Sequence, residues 1–145
     1  MTGFNMNEWI ARSPKEVFDF ITASENAPKV VPSVKSMVKL TEGPIRVGTR
    51  YRETRLMGGK EAHAELEIVD LDPNQKYAMK NVTDGIETVY RYTFLPERDG
   101  TRVDLVCELN ASGIKKLMLP MVASILKKED GQHLQRLKKV MEKES

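Results

Sequence analysis

Cysteine and histidine are scarce in this chain, which has 1 cysteine and 2 histidines among its 145 residues. The single cysteine, Cys107, excludes a disulfide bond within the chain and is expected to be a small buried hydrophobic residue. His63 and His133 lack the neighbouring cysteine or histidine that a zinc site needs. The sequence therefore predicts no metal site, and it assigns no cofactor and no catalytic residue.

Long hydrophobic runs are absent as well. The most apolar stretch, residues 117–126, contains Pro120 and is much shorter than the roughly 20 residues of a transmembrane helix. The N-terminal residues 1–10 lack the basic start and apolar centre of a signal peptide. A cytoplasmic protein with no stable membrane insertion is therefore expected.

A strong excess of one charge is also lacking, because the formal net charge is only +2. Basic residues without interleaved exposed aromatic residues argue against a nucleic-acid partner. Lysine pairs at residues 115–116 and 127–128 flank the apolar stretch. This pattern leaves peripheral contact with a membrane surface as an alternative to ordinary solvated helix ends.

What the chain does contain is a regular series of strand and turn signals. Seven strands are predicted, over residues 4–11, 34–40, 49–57, 61–71, 76–82, 86–95 and 101–111. The dipeptides Gly58-Gly59, Asp84-Gly85 and Asp99-Gly100 are predicted to form turns between them. Apolar and polar side chains alternate along these segments, which is typical of an antiparallel sheet with one buried face.

A short helix is predicted directly after the first strand. Ser13, Pro14 and Glu16 have the spacing of an N-terminal capping box, with proline at the first helical position. Residues 24–32 contain two prolines, so a broken connection follows this helix.

A long C-terminal helix is predicted over about residues 121–142, where apolar residues recur at helical spacing. Pro120 marks its start or a kink, and Gly131 weakens its middle, which favours a bend or a close approach to the sheet. No linker or repeat divides the chain, so residues 1–145 are expected to form one domain. Because one helix cannot fill a wide, curved sheet, this α+β arrangement predicts a pocket between them.

Ten side chains are candidates for lining this pocket. Tyr51, Glu53 and Arg55 share one face of a strand, and paired charges there would orient the polar end of a ligand, for instance a carboxylate or carbonyl on Arg55. The alternative is that both charges are solvated at an open edge of the sheet. The other candidates offer hydroxyl groups or an adaptable apolar wall, with ordinary core packing as the alternative: Tyr77, Met79, Tyr90, Tyr92, Met118, Met121 and Ile125.

Several short motifs follow one another along nearly the whole chain. They are residues 10–18 (IARSPKEVF), 47–51 (VGTRY), 71–73 (LDP), 92–94 (YTF) with 100–103 (GTRV), and 134–138 (LQRLK). In this order they resemble the START-like SRPBCC superfamily, and within it the bacterial polyketide cyclase/dehydrase-type branch. The resemblance implies the helix-grip fold, in which a curved seven-stranded antiparallel sheet surrounds a long C-terminal helix, with one or two short helices after the first strand. It also implies a cavity for a lipid, polyketide or similar ligand, and it transfers no catalytic motif.

The function expected from these observations is binding of a small, largely apolar ligand between the sheet and the C-terminal helix, and the oligomeric state is left open. Two alternatives remain. One is a cyclase/dehydratase-type lyase or isomerase, in which Tyr90, Tyr92, Glu53 and Arg55 orient a substrate and move a proton. The other is an interaction module similar to a chaperone co-factor, which an exposed apolar patch would indicate.

Overall fold

The predicted strands are all present in a computed structural model, which describes residues 2–143. They are β1 (Thr2–Ile10), β2 (Val34–Lys39), β3 (Arg50–Met57), β4 (Lys60–Asp72), β5 (Lys76–Thr83), β6 (Ile86–Glu97) and β7 (Gly100–Asn110). No predicted strand end differs from the observed one by more than 2 residues. The strands form one antiparallel sheet in the order β1-β7-β6-β5-β4-β3-β2, so the first and last strands pair.

The helices also follow the sequence pattern. They are α1 (Pro14–Thr22), α2 (Ala27–Val30), α3 (Leu119–Asp130) and α4 (His133–Lys143), with 3-10 helices at Ser24–Asn26 and Gly113–Met118. The capping box of α1 is formed as predicted: Ser13 Oγ accepts from the Glu16 backbone nitrogen at 3.2 Å, and the Glu16 carboxylate accepts from the Ser13 backbone nitrogen at 3.4 Å. None of the helices in residues 2–143 has the length and apolar character needed to span a bilayer.

The C-terminal helix is bent rather than continuous. It begins at Leu119 with Pro120 in its first turn, and α3 and α4 are separated at residues 131–132. The backbone nitrogen of Gly131 donates to the Lys127 carbonyl oxygen at 2.7 Å, and a Cβ atom at residue 131 would lie only 2.3 Å from that oxygen. The bend that the sequence associated with Gly131 is therefore present, and a side chain there would collide with the last turn of α3.

One predicted turn is misplaced. The turn between β6 and β7 is formed by Arg98 and Asp99, both with positive φ, and not by Asp99-Gly100. Gly100 is instead the first, buried residue of β7. A Cβ atom there would lie 2.4 Å from the Ile10 carbonyl oxygen and 2.8 Å from the Trp9 ring, so the glycine allows close packing rather than a turn.

The core lies between the concave face of the sheet and the helices α1, α2 and α4. Its fully buried side chains include Ile10, Val17, Tyr51, Ile68, Leu105, Leu134 and Leu137.

The two ends of the sheet carry different turns and helices. The α1 end carries the turns at residues 73–75 and 98–99 and the start of α1, and the α3 end carries the turns at residues 58–59 and 84–85 and the 3-10 helix that precedes α3.

Candidate functional site

A cluster of charged and polar side chains lies on the concave face between β3, β6 and the end of α3. Arg55 Nε donates to Glu53 Oε1 at 2.7 Å, and Arg55 Nη1 donates to Asp130 Oδ1 at 3.1 Å. The Tyr90 hydroxyl donates to the other oxygen of Asp130 at 2.5 Å. Together Glu53, Arg55, Tyr90 and Asp130 are called the polar cluster below.

The polar cluster is shielded from water. The side chains of Glu53, Arg55 and Asp130 are 12%, 17% and 5% exposed. Burial alone disfavours the charged guanidinium, but Glu53 and Asp130 raise the pKa of Arg55 above its ordinary value. Of the two alternatives for Glu53 and Arg55, the structure has the charges paired and largely buried, and their role toward a ligand stays a prediction.

The tyrosine of the polar cluster is a neutral hydrogen-bond donor. Burial, and after it the nearby Asp130 carboxylate, raises the pKa of Tyr90 far above its ordinary value. Burial also raises the pKa of the Cys107 thiol to about 11. Cys107 is fully buried, as predicted, and the raised pKa makes it a poor nucleophile.

A second polar contact lies where α4 begins. The Tyr92 hydroxyl and His133 Nε2 are 2.8 Å apart, and the ring of His133 meets the ring of Tyr92 edge-on at 5.9 Å between centroids. Burial lowers the pKa of His133 to about 4, so the ring is neutral near pH 7. Asp130 and His133 thus attach the two sides of the helix bend to neighbouring inward-facing tyrosines of β6.

Three of the candidates fill the core on the side toward the α1 end. Tyr51, Tyr77 and Met79 are buried, and the Tyr77 hydroxyl donates to Met79 Sδ at 2.9 Å. The Tyr51 hydroxyl is buried without a hydrogen-bond partner in the described part of the chain. Tyr92 stacks between Tyr77 and Phe94, with centroids 5.7 and 6.2 Å away. These rings occupy the interior there instead of leaving it open.

Three further candidates lie on α3 or just before it. Met118, Met121 and Ile125 are 44%, 55% and 47% exposed, because α3 turns Leu119 to the interior and these side chains away from it. In the described part of the chain, no contact is recorded between these three side chains and the polar cluster. His63, on the outer face of β4, is exposed and its Nδ1 lies 3.0 Å from Thr54 Oγ1.

Asp130 is the functional candidate that the sequence analysis missed. It falls at helical spacing with Leu126, Leu134, Leu137 and Met141, which form the apolar stripe of the C-terminal helix. A carboxylate within an apolar helix stripe is the signal that could have revealed it, because a buried carboxylate needs a buried partner. Arg55, 75 residues away along the chain, is that partner.

Small side chains lie opposite two members of the polar cluster in the sheet. In the β3–β4 register, Glu53 is opposite Ala64 and Arg55 is opposite Ala62. Ala64 is half-buried and Ala62 is exposed, whereas the next pair toward the α1 end, Tyr51 with Leu66, belongs to the core. Two open grooves lie elsewhere, at the α1 end, and both involve Arg12 and Glu16.

Comparisons with known proteins agree on the family and the fold. The profile described as "Polyketide cyclase / dehydrase and lipid transport" matches residues 1–142. A START superfamily protein from Mycobacterium smegmatis has a TM-score of 0.74 at 17% identity, with 98% of each chain covered. The crystal structure of Ara h 8.0201 has a TM-score of 0.77 at 16% identity, with 94% of this chain and 95% of that chain covered.

A longer neighbour is the di-domain ARO/CYC BexL from the BE-7585A biosynthetic pathway. It has a TM-score of 0.80 at 17% identity, and the match covers 98% of this chain but 47% of BexL. None of the curated proteins matches this chain. At these identities the structural neighbours establish the fold alone, and the profile match establishes the family. The chain belongs to the polyketide cyclase/dehydrase and lipid transport family, with the helix-grip fold of its START-like neighbours.

Proposed function

We propose that the protein binds a small, largely apolar molecule at the α3 end, between α3 and the inner face of β3 and β4. The observation that carries the proposal is that two small side chains, Ala62 and Ala64, lie opposite Arg55 and Glu53 on the inner face, beside the buried polar cluster. Ligand sites commonly combine apolar surroundings with a few convergent polar groups, and small side chains next to the polar cluster are consistent with such a site. Residues 1–145 would act as one ligand-binding domain in the cytoplasm.

The exposed apolar residues of α3 face away from the interior, so we place them at the entrance of the proposed site and not in its inner wall. Met121 and Ile125 are large, about half exposed, and follow one another by one helical turn. Methionine side chains adjust to ligands of different shape, which suits loosely selective binding. A ligand that covers them would remove apolar surface from water at about 25 cal/mol per Å².

Proton transfer is not part of the proposal. Burial raises the pKa values of Tyr90 and Tyr92, and each hydroxyl is already engaged, by Asp130 and His133 respectively. A general acid works best when its pKa lies near the working pH, and neither tyrosine meets that condition. Binding is therefore the function that the described side chains support best.

The test is titration with N-phenyl-1-naphthylamine, a neutral apolar dye whose fluorescence rises in apolar surroundings. The wild-type protein is expected to bind it saturably. Ala64→Trp places an indole ring in the proposed site beside the polar cluster. This variant should lower the affinity for the dye at least tenfold, because the ring occupies the site. Glu65→Trp adds the same ring to the exposed outer face of β4 and should leave the affinity unchanged.

Circular dichroism establishes that both variants keep the fold. Absence of saturable dye binding by the wild-type protein, or equal affinity in the wild type and Ala64→Trp, would show that the proposed site is wrong. Weakening by Glu65→Trp to the same extent would show that the effect of the ring is not specific to the inner face.

A further inference from the structure

The polar cluster has an unequal number of positive and negative groups. Arg55 supplies the one positive charge, and Glu53 and Asp130 supply two carboxylates, both bonded to it. The cluster therefore carries one net negative charge. Tyr90 adds a hydroxyl but no charge, since its pKa is raised far above neutrality.

The polar cluster keeps both hydrogen-bond acceptors and hydrogen-bond donors that are not used within it. The Tyr90 hydroxyl donates its proton to Asp130 Oδ2. Arg55 donates from Nε and Nη1 to the two carboxylates, which uses two of its five N–H groups and leaves those of Nη2 available. In the described part of the chain, Glu53 Oε2 receives no hydrogen bond. Glu53 is opposite Ala64 in the sheet, so its side chain belongs to the face where we place the proposed site.

We infer that the ligand has a hydrogen-bond donor at its polar end, a hydroxyl or an ammonium group, and that the site discriminates against carboxylates. The inference rests on the proposed function and specifies the chemistry of its ligand. It reverses the expectation that Arg55 would receive a ligand carboxylate, because the two carboxylates of the protein outweigh the single positive charge of the guanidinium.

The physical reason is electrostatic. A ligand carboxylate would lose its hydration beside a cluster of the same sign, and charges interact strongly where water is excluded. A hydroxyl or ammonium group also loses a hydrogen bond to water when it binds. It gains a hydrogen bond to a carboxylate oxygen instead, and this bond is charge-assisted. Selectivity then comes from repulsion of the wrong ligand as much as from attraction of the right one.

The experiment measures displacement of N-phenyl-1-naphthylamine by three probes of equal chain length, 1-dodecanol, dodecylamine and dodecanoate, below their micellar concentrations at pH 7. Dodecanoate is expected to bind at least tenfold more weakly than dodecanol, a difference of about 1.4 kcal/mol. The dodecanol and dodecylamine arms show whether the natural donor is neutral or cationic.

Glu53→Gln removes the net charge of the cluster and keeps an acceptor for Arg55. In this variant the difference between dodecanol and dodecanoate should fall below about threefold, and dodecylamine should lose affinity. Glu65→Gln makes the same change in total charge on the exposed outer face, where Glu65 pairs with Arg50, and should leave all three affinities unchanged.

The outcomes separate this inference from the proposed function. If the wild-type protein binds the dye and its affinity for dodecanoate equals or exceeds its affinity for dodecanol, the charge selectivity is overturned. The proposed binding of apolar ligands then still stands. Absence of binding by the dye and by all three probes overturns the proposed function and the inference with it. Equal changes in Glu53→Gln and Glu65→Gln assign the selectivity to overall charge and overturn the role of the cluster.

Discussion

At the scale of single residues, the interior is organised by polar side chains that the bend of the C-terminal helix brings to β6. Asp130 and His133 lie on either side of the bend and contact Tyr90 and Tyr92. Each contact satisfies a tyrosine hydroxyl that would otherwise be buried without a partner, a loss that costs about 1–3 kcal/mol. These two residues therefore fix the position of the helix over the sheet as well as the polarity of the interior.

His133 makes stability depend on pH in a predictable direction. Its pKa is about 4 in the folded protein, against 6.5 for an ordinary histidine, so the unfolded chain binds the proton more readily. The stabilising contribution is complete above pH 6.5 and is lost as the pH falls toward 4, by up to about 3 kcal/mol. Chemical denaturation at several pH values measures this loss.

The matched comparison is between the two histidines. His133→Gln keeps a polar partner for Tyr92 and should flatten the decline of the unfolding free energy between pH 6.5 and 4. His63→Gln replaces the exposed histidine and should follow the wild-type decline. An unchanged pH dependence in His133→Gln would contradict a buried neutral imidazole at this position.

At the scale of elements, the break between α3 and α4 depends on a residue with no side chain. In an ordinary helical position, Gly→Ala stabilises by about 1 kcal/mol, because alanine has the higher helix propensity. At Gly131 the added Cβ would lie 2.3 Å from the Lys127 carbonyl oxygen. Gly131→Ala is therefore expected to lower the free energy of unfolding, by about 1–3 kcal/mol as for other overpacked sites.

The sign of the change in Gly131→Ala decides between these two effects, and urea denaturation measures it. Ser124→Ala, at an exposed position within α3, is the control and should change the free energy of unfolding by no more than about 0.5 kcal/mol. A stabilised Gly131→Ala would mean that the bend does not depend on the absence of a side chain.

Elements were predictable from the sequence where the signal is local. Strand alternation placed Glu53 and Arg55 on the concave face, and Ser13 with Glu16 placed the start of α1. Gly100 was misread as a turn residue, since the Ile10 carbonyl that requires the glycine is distant in sequence. Local patterns record periodicity and capping, but they do not record which distant backbone passes close by.

The candidate site was less predictable for the same reason. The carboxylate that completes the polar cluster, Asp130, reaches Arg55 only after the helix is bent over the sheet. Tyr51 and Tyr77 are buried in a core that residues of the sheet and of the helices share, and a strand pattern alone does not show which residues meet there. Curvature predicted a pocket between the sheet and the helix, with core packing of the tyrosines as the alternative, and toward the α1 end the tyrosine rings pack in the core.

At the scale of the whole molecule, the two ends of the fold differ in how firmly they are held. The side toward the α1 end packs Ile10, Phe94 and Val103 in a continuous core with α1 and α4. At the α3 end, the 3-10 helix and α3 leave Ile114 and Leu117 each 80% exposed. Few buried apolar contacts mean a low free energy of local opening, so this end is where a ligand is expected to enter.

Hydrogen–deuterium exchange followed by mass spectrometry measures this difference directly. Amides of residues 100–109 in β7 should exchange only at the rate of global unfolding, whereas those of residues 113–126 should exchange much faster, because their helices open without the sheet. Saturation with N-phenyl-1-naphthylamine should slow exchange in residues 113–126 and leave residues 100–109 unchanged, since a ligand stabilises the closed form that binds it.

Equal protection of both segments without the dye would contradict the difference between the two ends. Slowing of exchange at the α1 end alone would place the dye in the grooves near Arg12 and Glu16 instead.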